Sequence, residues 1–181
     1  MELSIFNQLK TIMHKEVKIF CESVKIRFPE YFINKRVLDC GSLDINGNNR
    51  YLFDRCIYTG IDIAIGKNVD VVTPVHLFEP FWNYDVVISS EMLEHDCHYV
   101  ETLQKMFDLT KQGGLLMFTA AGTNRPEHGT TDHHSGDSPM TQNYYCNITV
   151  EMLLQALTLS EFSWFEISYI NTDIRFTGIK R

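Results

Sequence analysis

Apolar residues recur at helical spacing through the first segment: Ile5, Leu9, Ile12, Phe20 and Val24, with Met13 and Val17 beside them. Pro29 closes the run, so the pattern predicts an N-terminal helix within residues 1–29. Arg36-Val37-Leu38-Asp39-Cys40 reads as a short buried strand, followed by a polar, glycine-bearing loop over Gly41–Asn49. Further strands are expected at Ile57–Asp62, Val69–Val72 and Tyr84–Ser89. A helix from about His98 to Leu109 carries Val100, Leu103 and Phe107 on one face. Gly113-Gly114 should break it before a fifth strand at Leu115–Ala120. Residues 122–143 form a long polar loop. Thr149 then caps a helix with Val150, Leu153, Leu154 and Leu157 inward. Trp164–Ile170 and Ile174–Ile179, separated by Asn171-Thr172-Asp173, read as a closing hairpin.

Strands alternating with helices imply an α/β fold: a mostly parallel sheet with helices on both faces. The hairpin should add one antiparallel strand at or near the edge. Only about six residues separate the second and third strands, so no helix is expected between them. In such sheets ligands bind beyond the carboxyl ends of the strands. The informative residues should therefore follow strands one, two, four and five.

Composition narrows the partners. The 181 residues fit a single domain, and 44% hydrophobic with 22% charged content is ordinary for a globular chain. No apolar run approaches the ~20 residues of a membrane span. The N-terminus lacks a cleavable signal pattern, so a cytoplasmic location is expected. Five cysteines, Cys21, Cys40, Cys56, Cys97 and Cys146, show no CxxC spacing and read as reduced thiols. The net charge of −7, with no Lys/Arg cluster, makes nucleic acid an unlikely partner.

Candidate chemistry sits at the strand ends. Asp39-x-Gly41-Ser42 follows the first strand, where glycine lets a ligand approach the backbone. Asp62, twenty-one residues beyond Gly41, ends the second strand and is placed to accept ribose hydroxyls. Ser89-Ser90-Glu91 ends the fourth. A dinucleotide dehydrogenase would want Gly-x-Gly-x-x-Gly running straight into a helix, and that spacing is missing.

The segments VLDCGSLDINGNNR, YTGIDI, YDVVISSEMLEH and LTKQGGLLMFTAAG, over roughly residues 36–121, resemble in order and spacing the class I S-adenosylmethionine-dependent methyltransferases. The resemblance implies a Rossmann-like fold with a cofactor-binding core over 36–121 and a lid loop over 122–143. It implies that Gly41 and Ser42 border the methionine part of S-adenosyl-L-methionine. Asp39 would hold the loop or contact the amino group, Asp62 would bind the ribose, and Ile63 would pack on the adenine. Ser89 and Ser90 would line the methionine side. The usual glycine triplet is here Gly41 and Gly47, with Asn46-Gly47 shaping the turn, and Arg50 is a candidate partner for the cofactor carboxylate. The acidic residue expected after the third strand is missing, which leaves a backbone group near Val75 to face the adenine amino group.

Glu91-Met92-Leu93-Glu94-His95 follows the fourth strand. In a helical turn Glu91, Glu94 and His95 would share one face and could bind Mg²⁺ or Mn²⁺. The same ExxEH resembles the metal motif of O-methyltransferases of ubiquinone biosynthesis and of small-RNA 3′-terminal 2′-O-methyltransferases. The loop 122–143 carries His128, His133 and His134. His128 is the best candidate for a further ligand or a general base, with His95 and Glu91 as the other catalytic candidates. The stretch RPEHGT resembles small methyltransferases of sugar and glycan biosynthesis, and Tyr144 and Tyr145 could stack on a sugar face. The leading expectation is metal-assisted O-methylation of a sugar or glycan diol. The alternatives are a catechol-like small molecule, a 2′-hydroxyl of RNA, and a non-catalytic cofactor-binding subunit. A homodimer is left open, because so short a chain has no separate acceptor domain.

Overall fold

The computed structural model describes residues 2–141 and 143–181, residues 2–14 by backbone alone. Helix α1 spans Glu2–Arg27. The expected inward positions Ile5, Leu9, Ile12 and Met13 lie outside the described side chains. Seven strands form one sheet: β1 Arg36–Cys40, β2 Ile57–Asp62, β3 Val71–Val72, β4 Tyr84–Ser90, β5 Thr110–Ala121, β6 Phe162–Ile170 and β7 Asp173–Lys180. Their order is β3-β2-β1-β4-β5-β7-β6. The first five are parallel, and β7 enters antiparallel between β5 and β6. This is the Rossmann-like, mostly parallel sheet with a terminal hairpin that the alternation of elements implies.

Side-chain alternation along the strands builds two cores. On one face Phe20, Cys21 and Val24 of α1 pack against Val37, Val86, Ile88, Leu115 and Met117. On the other, α2 (Tyr99–Leu109) and α3 (Val150–Ala156) cover Leu38, Val87, Leu116, Phe118 and Phe176. The Thr149 side chain accepts the Met152 N–H at 3.3 Å, so the predicted cap starts α3.

One boundary differs from the pattern. Gly113-Gly114 does not end α2. The helix stops at Leu109, where buried Thr110 donates its hydroxyl to the Met106 carbonyl at 2.8 Å and begins β5. Gly113 instead takes φ +69° inside β5, beside a register shift against Tyr84 and Val86. A glycine pair accommodates a bulge as readily as a helix end. No helix lies between β2 and β3, and β1 leads to β2 through only a short 3-10 turn at Arg50–Leu52. Because β1 has β2 on one side and β4 on the other, the chain reverses direction across the sheet there, and a crevice opens at their carboxyl ends. No helix among the described residues is long and apolar enough to cross a membrane. All five cysteines are free.

Candidate active site

A cavity of about 950 Å³ occupies that crevice. Gly41 opens it. Its φ of +76° suits glycine, and a Cβ there would lie 2.5 Å from Met92 Cγ. Asp62 at the end of β2 is held rigidly: its two carboxylate oxygens accept the Leu43 N–H at 3.1 Å and the Ala64 N–H at 2.9 Å. Asp39 is buried and accepts the Tyr58 hydroxyl at 2.5 Å and the Asn49 amide at 3.2 Å. Burial pushes the Asp39 carboxyl up to about 6 despite these donors.

Of the residues expected at the cofactor, Asp39, Gly41, Ser42, Asn46, Gly47, Asp62, Ile63, Val75 and Ser90 all line this cavity. Ser89 does not. Neighbouring residues of a strand point to opposite faces, and Ser89 donates its buried hydroxyl to the Cys40 carbonyl at 2.8 Å. Arg50 is also spent elsewhere: Nη2 pairs with Asp70 at 2.6 Å, Nε donates to Asn68 Oδ1 at 2.5 Å, and the guanidinium lies over Tyr58. The cavity wall includes residues that motif reading passed over, chiefly His76, His98, Asp137 and Lys18. Asp137 belongs to the 122–143 loop, and Lys18 lies on α1, away from every matched motif. Only the helical phase connects Lys18 to the site, since Cys21, one turn on, is buried.

The second half of the site lies behind Met92. Glu91 does not enter a helical turn. It takes φ +53°, a left-handed conformation uncommon for a side-chain-bearing residue, and the helical turn begins only at Leu93–His95. The helical turn expected to align Glu91 with Glu94 and His95 is therefore not formed, although the Glu91 charge still bears on Glu94. Glu91 turns toward Arg125 of that loop, with Oε2 at 3.9 Å from Nη2, and Arg125 also pairs with Asp173 of β7. Burial, and then the Asp173 charge, push the Glu91 carboxyl up to about 7.

Glu94, His95 and His128 do converge: one potential ligand atom from each lies within 4.8 Å of the others. Glu94 is fully buried, and neither of its oxygens makes a well-aligned hydrogen bond; only the backbone N–H groups of Glu94 and Ala121 lie close enough to favour its charged form, too weakly to offset burial. Its carboxyl is held well above the usual range by burial and then by Glu91. His128 Nδ1 sits 3.1 Å from the Pro126 carbonyl, which can only accept, so Nδ1 carries the proton. Nε2 is then a lone pair, 4.0 Å from Glu94 Oε1. Burial and then His128 lower the His95 imidazole to about 4, and burial lowers His128. Both rings are thus neutral near pH 7. His95 reaches the cavity wall, while Glu94 and His128 stand behind it.

The base of the 122–143 loop is pinned. The Asn147 side-chain amide donates to the Gly122 carbonyl at 2.6 Å, and the Tyr145 hydroxyl donates to the Pro126 carbonyl at 3.2 Å. The Tyr145 ring packs edge-on to His128 at 5.0 Å and lies 5.5 Å from His95. It braces the cluster and does not line the cavity, and neither does Tyr144. His133 and His134 are exposed and enter neither group.

No family model and no curated protein matches the sequence. Solved structures do match in fold. The chain is similar to Burkholderia thailandensis 1,6-didemethyltoxoflavin-N1-methyltransferase, bound to 1,6-didemethyltoxoflavin and S-adenosylhomocysteine. The TM-score is 0.61 at 15% identity, over 95% of this chain and 87% of that one. Haemonchus contortus phosphoethanolamine N-methyltransferase 2, in complex with S-adenosyl-L-methionine, gives a TM-score of 0.61 at 14% identity. That match covers 87% of this chain and 52% of the other, so this chain spans about half its length. The N-methyltransferase NodS from Bradyrhizobium japonicum, with S-adenosyl-L-homocysteine, gives 0.56 at 12% identity over 88% of this chain and 86% of that one. The fold is therefore one shared with these methyltransferases.

Proposed function

We propose that this chain is an S-adenosylmethionine-dependent O-methyltransferase whose acceptor hydroxyl, one of a vicinal diol on a sugar or glycan, is activated beside a divalent cation held by Glu94, His95 and His128. One observation carries the metal reading. Glu94 is a fully buried carboxyl with neither oxygen in a well-aligned hydrogen bond, facing two imidazoles that are neutral near pH 7. Such a group is costly unless a proton or a cation neutralises it. The Nδ1–H of His128 given to Pro126 is the orienting bond a metal-ligating histidine usually makes through its second nitrogen. One carboxylate with two imidazoles suits Mn²⁺ or Zn²⁺ better than Mg²⁺, which favours oxygen donors.

The remaining residues divide the other roles. The Asp62 carboxylate, fixed by two backbone N–H groups, accepts the ribose hydroxyls, and Ile63 and Val75 wall the adenine. Gly41 admits the methionine part, and Asp39 and Ser90 face its amino group. The cofactor brings an electrophilic methyl, and a bound cation lowers the pKa of an adjacent hydroxyl. Glu91 stands in the cavity wall and is the carboxylate placed to accept the hydroxyl proton; a cation at Glu94 would draw it below the value of about 7 that burial and Asp173 give it, toward the ionised form a base needs. His95, lowered to about 4, is a poor base and a good ligand.

A second reading has its own support. Glu91, Asp96 and Asp137 line the cavity, a wall that suits an amine acceptor and opposes a phosphorylated or nucleic-acid one. Methyl transfer from labelled cofactor to sugars, catechols, amines and RNA ends, with and without chelator, separates these. The expected result is transfer to a diol that falls roughly a hundredfold in chelator and returns with Mn²⁺. Chelator-resistant transfer to an amine would replace the O-methyltransferase reading. Cofactor binding without turnover on any acceptor would leave a non-catalytic subunit.

A further inference from the structure

A cofactor with an amino-acid tail presents a carboxylate and an ammonium a few bonds apart, and a site that reads both needs one group of each sign. The acidic side is well supplied: Asp39, Asp62, Glu91, Asp96 and Asp137 line the cavity. The basic side is not. Among the described residues that line it, Lys18 is the only lysine or arginine. Arg50, the cation that sequence spacing offers, is held by Asp70, Asn68 and the Tyr58 ring and is not part of the wall.

Lys18 stands at the correct end. It lies one helical turn before Cys21, and the Cys21 thiol is buried beside Asp39 and Ser90. Its ammonium lies 5.3 Å from the centre of the Tyr51 ring, and Tyr51 lines the cavity next to Asn48 and Asn49. The ribose partner Asp62 and the adenine wall at Ile63 and Val75 follow other strands. We infer that α1 delivers Lys18 as the cationic partner of the cofactor's carboxylate, so that Asp39 and Lys18 read the two ends of the amino-acid tail. This rests on the methyltransferase reading. Lys18 is not locked in place, because its ion pair to Glu22, at 3.8 Å, is a half-exposed contact between residues four apart.

The test uses two ligands, S-adenosylhomocysteine and 5′-methylthioadenosine, which shares the nucleoside and lacks the amino-acid tail. Calorimetry should show Lys18→Met weakening the first about tenfold and the second not at all, with Lys18→Arg close to wild type. Equal loss for both ligands, or no loss for either, would overturn the assignment of Lys18. If wild-type protein binds neither ligand, the methyltransferase reading itself fails. Lys18 is exposed, so circular dichroism of the variant should be unchanged.

Discussion

Asp62 and Glu94 are both carboxylates at the carboxyl ends of parallel strands, Asp62 as the last residue of β2 and Glu94 in the turn after β4, and they live in opposite conditions. Asp62 has a backbone N–H on each oxygen, and its neighbour Asp39 has two side-chain donors. Glu94 has no well-aligned donor, and it is buried against a second carboxyl and two neutral imidazoles. Around Asp62 and Asp39 the carboxylates are satisfied as folded, with their oxygens oriented in advance. In the Glu94 half, three potential ligands converge and the carboxyl among them stays unpaired. A region whose polar groups satisfy one another is built for recognition. A region whose buried carboxyl makes no well-aligned hydrogen bond is suited to a positive charge from outside it.

This contrast can be broken by removing one carboxylate from each half. Asp62→Ala should weaken S-adenosylhomocysteine by roughly ten- to a hundredfold, because a charged acceptor is lost and ribose hydroxyls are left unpaired. It should also destabilise the ligand-free protein by about 1–2 kcal/mol, because two backbone N–H groups lose their acceptor. Glu94→Met keeps the volume and removes the orphaned carboxyl, so metal-free protein should become more stable by about 1–2 kcal/mol in urea titration. It should also lose Mn²⁺ binding by calorimetry. If both variants destabilise the protein alike, Glu94 is not an unsatisfied group and the contrast is wrong.

A gentler test is the slope of stability against pH in metal-free protein. Glu91 titrates near 7 when folded against about 4.5 unfolded, so the folded state binds more protons between those values and stability falls as pH rises through them. Asp39, raised to about 6, acts in the same sense. His95, lowered to about 4 from 6.5, acts oppositely: stability rises between those values. From pH 4.5 upward the raised carboxyls, Glu94 among them, outweigh the lowered imidazoles, and above pH 6.5 the carboxyls act alone. Metal-free protein should therefore lose stability as pH rises from about 4.5 to 7, and Glu91→Gln should flatten that loss. Mn²⁺ affinity should rise over the same range, since the cation displaces protons from Glu94 and its surroundings. A pH-independent affinity would argue that no carboxyl proton is displaced and that the cluster is not the binding site.

The sequence by itself determined the order of elements and most of the residues that line the crevice around Gly41 and Asp62. Strand runs, the Thr149 cap and the hairpin follow from local hydrophobic period and turn chemistry, and Gly41 and Asp62 are placed by their own strands. A residue that acts from the end of its strand carries its position with it. Ser89 shows the limit of that rule, because a one-residue offset on β4 turns its hydroxyl from the cavity to the Cys40 carbonyl. Tertiary structure decided what depends on meetings between distant segments. Arg50 was drawn to Asp70, Lys18 was brought over the crevice by α1, and the 122–143 loop set Arg125 3.9 Å from Glu91 and brought His128 to Glu94 and His95. The left-handed turn at Glu91 belongs to this second class. Helical spacing places Glu91 beside Glu94, but Arg125 and Asp173 lie far along the chain and meet Glu91 only after β5 and β7 have paired.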